Sequence, residues 1–122
     1  MKKLLLFLAS VAILNAQLSR ITWAALSATG TTSGFNVPGS DVHTIAAIVT
    51  GSPSGCTLHL EGSLDGTNWF DISGDQTCTS NLMFHVVNRA VAQVRMNLTA
   101  LTGGTAPTVT GWYLGHSTGA QK

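Results

Sequence analysis

The sequence feature that most constrains the fold is the stretch at residues 56–74, CTLHLEGSLDGTNWFDISG, which has the pattern of a β-hairpin. Apolar and polar residues alternate in its first half, as in a strand with one buried and one solvated face. Asp65 and Gly66 then supply a turn signal, because both tolerate the left-handed backbone conformation that a tight reversal needs. Residues 69–72 are predicted to form the return strand.

Further strand patterns lie on both sides of this hairpin. Residues 42–50 are apolar on both faces, which is typical of a strand inside a sandwich or a covered sheet. Val94, Met96 and Leu98 alternate with polar residues and are expected to face inward. The remaining predicted strands are residues 17–28, 35–37, 82–87 and 108–114. About seven or eight short strands without a helix among them predict an all-β fold, an antiparallel β-sandwich or jelly roll.

The N-terminus has the pattern of a secretory signal peptide. Lys2 and Lys3 precede an apolar run at residues 4–14, and a small residue, Ala16, follows. The run is too short to span a bilayer, which needs roughly 20 apolar residues. We therefore expect residues 1–16 to be a signal peptide, followed by a single domain at 17–122. The alternative is an apolar N-terminal strand or helix that docks on a partner subunit.

The two cysteines are predicted to form a disulfide. An even count in a small exported chain favours pairing. If Glu61 lies near Asp71 across the turn, Cys56 lies opposite residue 76 and close to Cys78. Such a bond would close a loop of about 22 residues and contribute roughly 3 kcal/mol. The alternative is a pair of unpaired buried thiols; the spacing is a poor zinc pattern.

The histidines and acids form no recognisable catalytic or metal-binding motif. His59 and His85 lie in predicted strands, where they would face each other only if their strands paired, and neither has a carboxylate partner at a fixed spacing. Asp41 and His43 share one face of a strand, yet no nucleophile motif accompanies them. We therefore expect no enzymatic activity, no cofactor and no metal.

The tip of the hairpin carries the candidate ligand-binding residues Asp65, Asn68 and Trp69. The simpler interpretation is that the first two are turn residues. Trp69 and Trp112 are both predicted to face the core, with Phe70 and Tyr113 facing outward, because neighbouring residues of a strand point to opposite faces.

The charge content excludes strong nucleic-acid binding. The formal net charge is +1, only 9% of residues are charged, and no basic run exists to attract a phosphate backbone. Arg89 and Arg95 are candidates for contact with acidic sugars, but such residues are more often part of a solvated strand face.

Two segments, GSLDGTNWFDISG and VAQVRMNLTALTGGTAPTVTGWYLG, carry a family resemblance. They are similar to a loose group of small β-sandwich proteins of tailed phages and prophages. The S-x-D-G-x-x-W element within the first segment also resembles that of discoidin-type (F5/8 C-like) jelly-roll modules, which bind glycans or lipid head groups. The resemblance covers residues 28–115, and the signal-like N-terminus and the cysteine pair depart from the phage pattern.

The resemblance implies a non-enzymatic structural or accessory module of a phage-related assembly or virion surface. The expected partners are other virion or cell-surface proteins, and homo-oligomers are compatible with this role. The alternative is a secreted discoidin-like carbohydrate-binding module with glycan partners. In either case we expect a protein that is exported, extracellular or displayed on a virion, with no nucleic-acid partner and no membrane span.

Overall fold

The computed structural model describes residues 19–118, which form ten strands in two antiparallel sheets. In chain order the strands are β1 (Ser19–Thr22), β2 (Gly30–Thr31), β3 (Phe35–Asn36), β4 (Val42–Thr50), β5 (Gly55–Ser63), β6 (Phe70–Asp71), β7 (Gln76–Thr77), β8 (Leu82–Val86), β9 (Gln93–Thr102) and β10 (Thr108–His116). The predicted all-β antiparallel sandwich is confirmed. The count is higher than expected because two strands of two residues each, β2 and β7, were not among the predicted ones. The predicted signal peptide lies outside the described residues.

The two sheets differ in their strand order. The four-stranded sheet has the order β1-β10-β4-β8, and the six-stranded sheet is built on the path β2-β9-β5-β6, with β3 also paired to β9 and β7 to β5. The central pairs β4–β10 and β5–β9 join strands that are distant in the sequence. This long-range pairing brings outward-facing residues of remote strands side by side on each sheet.

The core lies between the sheets and is formed by the inward-facing positions of the long strands. As predicted, Val94, Met96 and Leu98 are fully buried. They pack with buried residues of both sheets, including Trp23, Ile45, Leu58, Leu60, Val109 and Tyr113. Gly111 of β10 also faces this core, and a Cβ there would lie 2.9 Å from both the Met96 sulfur and the Trp23 ring. The core therefore packs directly against the backbone of β10.

A polar pair is enclosed in this core. The Nε2 of His43 lies 2.7 Å from the Arg89 carbonyl, which can only accept, so Nε2 donates. The hydroxyl of Tyr113 therefore donates to the Nδ1 atom of His43 at 2.5 Å. Burial lowers the pKa of His43 and raises that of Tyr113, so both side chains stay neutral.

The central hairpin has the predicted register only near its turn. Glu61 pairs with Asp71, as expected, but the later β5–β7 pairing is offset by two residues. The offset has a local cause: the Oδ1 atom of Asp71 accepts the backbone N–H groups of Ser73 and Gly74, and the return chain loops out before pairing resumes.

This offset aligns the two cysteines. Cys56 and Cys78 form a disulfide with a Cα–Cα distance of 4.8 Å, and the Cys78 N–H donates to the Cys56 carbonyl. The predicted bond is present, and its position is two residues from the one that a regular hairpin would give.

The first predicted strand is shorter than expected. Strand β1 ends at Thr22, and the chain beyond it continues beside β10 only through isolated backbone contacts, from Trp23 to Gly111 and between Leu26 and Val109.

Candidate functional site

The outer face of the six-stranded sheet carries a polar cluster made of His59, Glu61, Arg95 and Asn97. Strand β5 supplies the first two residues and β9 the last two. The register sets His59 opposite Asn97 and Glu61 opposite Arg95, so all four side chains lie on one face. We call this group the polar cluster.

Glu61 is the centre of the polar cluster. Its Oε1 accepts from Arg95 Nε at 2.7 Å, and its Oε2 accepts from Asn97 Nδ2 at 2.9 Å and from His59 Nε2 at 2.8 Å. Burial alone would raise the pKa of this carboxyl, but the three donors outweigh it and lower the pKa to about 2. Glu61 is therefore ionised at neutral pH and fully engaged by its neighbours.

The ring of His59 faces acids on both sides. While Nε2 donates to Glu61, the Nδ1 atom lies 3.2 Å from an Asp75 oxygen and 3.8 Å from an Asp71 oxygen. Burial opposes the charged ring, but the hydrogen bonds to Glu61 and Asp75 and the charge of Asp71 prevail, and the pKa of His59 is raised. The carboxylates around Nδ1 therefore favour a positive charge at this nitrogen of His59.

Trp69 borders the polar cluster. The guanidinium carbon of Arg95 lies 4.3 Å from the ring centroid, a cation–π arrangement. A Cβ on Gly34 would lie 2.7 Å from the ring, so the indole packs directly on the backbone there. Trp69 is half-buried on the outer face, and its predicted core position is wrong.

The hairpin tip is an internally bonded turn. Asp65 accepts the backbone N–H groups of Thr67 and Asn68 and the side-chain amide of Asn68. These hydrogen bonds lower the pKa of Asp65 well below its usual range. The structure thus places the sequence candidates Asp65, Asn68 and Trp69 in one hairpin, with the first two bonded to each other.

The outer face of the four-stranded sheet is apolar. Trp112 of β10, Ala46 of β4 and Met83 of β8 pair in one row across three strands. Leu114 lies in the next row, and Ile48 further along β4. Trp112 is 53% exposed and Met83 is 65% exposed. We call Ile48, Met83, Trp112 and Leu114 the apolar face; a shallow depression of about 210 Å³ lies beside it.

Two further predictions are wrong. Trp112 points outward and Tyr113 is buried, the reverse of the expectation. The cause is the alternation of side chains along β10, which places Val109, Gly111 and Tyr113 on the inward face. Because Gly111 has no side chain, Trp23 and Met96 can pack against the backbone there.

The two strand histidines lie on different sheets, His59 on β5 and His85 on β8, so they do not face each other. Asp41 and His43 also have separate roles: Asp41 accepts from the backbone and hydroxyl of Thr118, whereas His43 is buried with Tyr113.

Sequence reasoning missed the polar cluster because its strands are remote in the chain. The alternation of H-L-E in β5 and R-M-N in β9 does mark the outward residues. Only the β5–β9 register shows that these two sets are partners.

Comparison with known proteins places the chain in a fold class. No protein-family model and no curated protein matches it. The SPBc2 prophage-derived protein YomS is similar in structure, with 14% sequence identity, a TM-score of 0.60 and coverage of 82% of this chain and 93% of that chain. The K2 cleaved adhesin domain of Lys-gingipain has 11% identity and a TM-score of 0.55, with coverage of 82% and 90%.

The carbohydrate-binding module CpGH89CBM32-6 produced by Clostridium perfringens is similar in the same way. It has 14% identity and a TM-score of 0.52, with 83% of this chain and 94% of that chain covered. At such identities the likeness establishes the β-sandwich fold. Within residues 19–118, no helix has the length and apolar character needed to cross a membrane.

Proposed function

We propose that this protein is a non-enzymatic structural or accessory module of a phage-related assembly or virion surface. It works by packing the apolar face of its four-stranded sheet against a neighbouring protein of the assembly. The observation that carries the proposal is the continuous row of Trp112, Ala46 and Met83 across three strands, with the two larger side chains more than half exposed.

The chemistry of the apolar face favours a protein surface as its partner. Its strand positions include no Asp or Glu, and the charged or titratable residues on this side are Arg20 and His85 on the edge strands and His116 at the end of β10. A surface of this kind gains free energy by removing aromatic and thioether groups from water. Exposed apolar patches with a polar rim mark protein–protein contact sites.

The polar cluster supports a non-enzymatic role. A catalytic acid or base needs a free proton-transfer atom that faces substrate. Both oxygens of Glu61 accept hydrogen bonds from neighbouring side chains, and burial leaves it only 11% exposed. The cluster thus stabilises the sheet.

Export is part of the proposal. The disulfide between Cys56 and Cys78 is the kind of bond that persists in oxidising compartments. We propose that residues 1–16 are removed and that residues 17–122 form the exported domain. The intact mass of protein secreted from a bacterial host tests this: loss of the first 16 residues is expected, and an uncut chain would contradict it.

The packing proposal is tested by co-sedimentation with particles purified from the producing source. We expect wild-type protein to sediment with particles and Trp112→Ser to remain in the supernatant. Phe70→Ser is the matched control, because Phe70 is an aromatic residue that is 67% exposed on the six-stranded sheet. Equal recovery of both variants with particles would contradict the proposal.

A second candidate function is carbohydrate binding at the central hairpin. Phe70 is exposed beside the Trp69–Arg95 stack, so an aromatic surface borders hydrogen-bonding groups, as sugar recognition requires. A glycan array tests this candidate. Saturable binding that is lost in Trp69→Ala or Asn68→Ala, and retained in Trp112→Ser, would favour it over the packing role.

A further inference from the structure

The side chains of His59, Asp71 and Asp75 converge on one point beside the polar cluster. One ligand atom from each lies within 4.8 Å of the other two. Each comes from a different segment: β5, β6 and the loop before β7. The hairpin register shifts by two residues between β6 and β7. Asp71 precedes this shift and Asp75 follows it, and both side chains lie beside His59.

Two of the three ligand atoms, those of His59 and Asp71, are oriented by contacts of their own. The Nε2–H of His59 is held by Glu61 at 2.8 Å, which leaves Nδ1 directed at the two aspartates. The Oδ1 atom of Asp71 is used by the backbone N–H groups of Ser73 and Gly74, so Oδ2 is the oxygen that faces the ring. Asp75 is the exposed third member and can adjust its position.

We propose that His59 Nδ1, Asp71 Oδ2 and Asp75 Oδ1 form a binding site for a divalent transition-metal cation of the Zn²⁺ type. Nδ1 lies 3.2 Å from the Asp75 oxygen and 3.8 Å from the Asp71 oxygen. Ligand atoms around a tetrahedral Zn²⁺ are about 3.3 Å apart, given bonds of about 2.0 Å. The two Nδ1–oxygen distances are close to this spacing, and the ligand atoms of Asp71 and Asp75, which lie within 4.8 Å of each other, can approach it by side-chain rotation.

The chemistry of the donors selects the cation. One imidazole nitrogen and two carboxylate oxygens suit Zn²⁺ and its neighbours, whereas Ca²⁺ and Mg²⁺ prefer sites made of oxygen alone. A carboxylate that accepts the second ring N–H of the ligating histidine is the usual outer support of such a site. Glu61 has this position, and Arg95 and Asn97 fix Glu61 in turn. This inference is independent of the proposed packing role.

Isothermal titration of the disulfide-intact protein with ZnCl₂, in buffer without chelator, tests the site. We expect one Zn²⁺ per chain, and we expect Asp75→Asn to weaken binding at least about tenfold while the fold is retained, because Asp75 is 70% exposed. His59→Gln should abolish binding. The matched control is His85→Gln, a histidine on the other sheet, which should bind as wild type does.

The ¹⁵N chemical shifts of the histidine rings give a readout that needs no variant. Addition of Zn²⁺ should shift Nδ1 of His59 and leave the ring nitrogens of His85 unchanged. Three results would each overturn the proposal: no saturable Zn²⁺ binding, binding that His85→Gln removes, or Ca²⁺ binding of equal affinity that His59→Gln leaves intact.

Discussion

The outer faces of the two sheets share one strand geometry but have opposite chemistry. On the six-stranded sheet the charged side chains at the centre of the polar cluster are covered: His59 is 12% exposed and Glu61 is 11% exposed. On the four-stranded sheet the apolar side chains are the uncovered ones, with Met83 65% and Trp112 53% exposed. The polar face is therefore satisfied by its own hydrogen bonds, whereas the apolar face gains free energy only from a partner.

The largest difference between the sheets is covalent, because the disulfide lies in the six-stranded sheet alone. We expect the double variant Cys56→Ala/Cys78→Ala to lower the free energy of unfolding by about 3 kcal/mol, from the loop entropy of the unfolded chain. Urea denaturation of the variant and of the oxidised wild type measures this. A difference below about 1 kcal/mol would show that the sheet does not depend on the bond.

Disruption of the polar cluster should cause the next largest loss in the free energy of unfolding. Glu61→Gln leaves Arg95 and His59 without their shared anion in a covered position, and we expect a loss of about 2 kcal/mol in the free energy of unfolding. Thr44→Val is the control on the four-stranded sheet, because it removes an exposed hydrogen bond to His85 and should change stability by less than about 0.5 kcal/mol. Equal effects of the two variants would remove the contrast between the faces.

Acid should destabilise the fold through His43, which is buried in the core beneath the four-stranded sheet. Burial lowers the pKa of His43 below its usual value of 6.5; the nearby Asp41 and the Arg89 carbonyl oppose this, and His116 adds to it. As the pH falls, His43 therefore takes up a proton at a higher pH in the unfolded chain than in the folded protein. The contribution of His43 is fully present above pH 6.5 and is lost as the pH falls through the lower folded pKa.

NMR titration of the His43 ring, with unfolding free energies measured between pH 7 and pH 5, checks this sign. We expect His43 to titrate below the usual histidine pKa of 6.5, and the free energy of unfolding to fall less steeply with falling pH in His43→Gln than in wild type. A His43 ring that titrates above pH 6.5 would contradict a neutral His43–Tyr113 pair.

The smallest expected effect on stability is at the apolar face itself. Trp112→Ser should change the free energy of unfolding by less than about 1 kcal/mol, because more than half of the side chain is already in water. Thermal denaturation measures this. A large loss of stability would mean that Trp112 supports the isolated fold and not a contact with a partner.

Local patterns in the sequence predicted much of the fold. The apolar run at residues 42–50 located β4 at its observed bounds, alternation set the inward face of β9, and the Asp-Gly turn located the hairpin. These features depend on neighbouring residues, which a sequence displays directly. The disulfide also followed, although the Asx turn at Asp71 shifted the register that had been expected.

Features that depend on remote contacts were not predictable. The outward orientation of Trp112 depends on the packing of Met96 and Trp23 against Gly111, from two other segments of the chain. The approach of Arg95 to Glu61 depends on a β5–β9 register that joins residues 34 positions apart. In both cases the local pattern allows either face, and tertiary packing decides.

The most direct test of the central claim is hydroxyl-radical footprinting of the protein, free and in assembled particles. Met83 and Phe70 are a matched pair on opposite sheets, at 65% and 67% exposure. If the apolar face packs on a neighbour, oxidation of Met83 and Trp112 should slow in particles, while Phe70 reacts as in the free protein. Protection of Phe70 alone, or unchanged oxidation of Met83, would contradict the account.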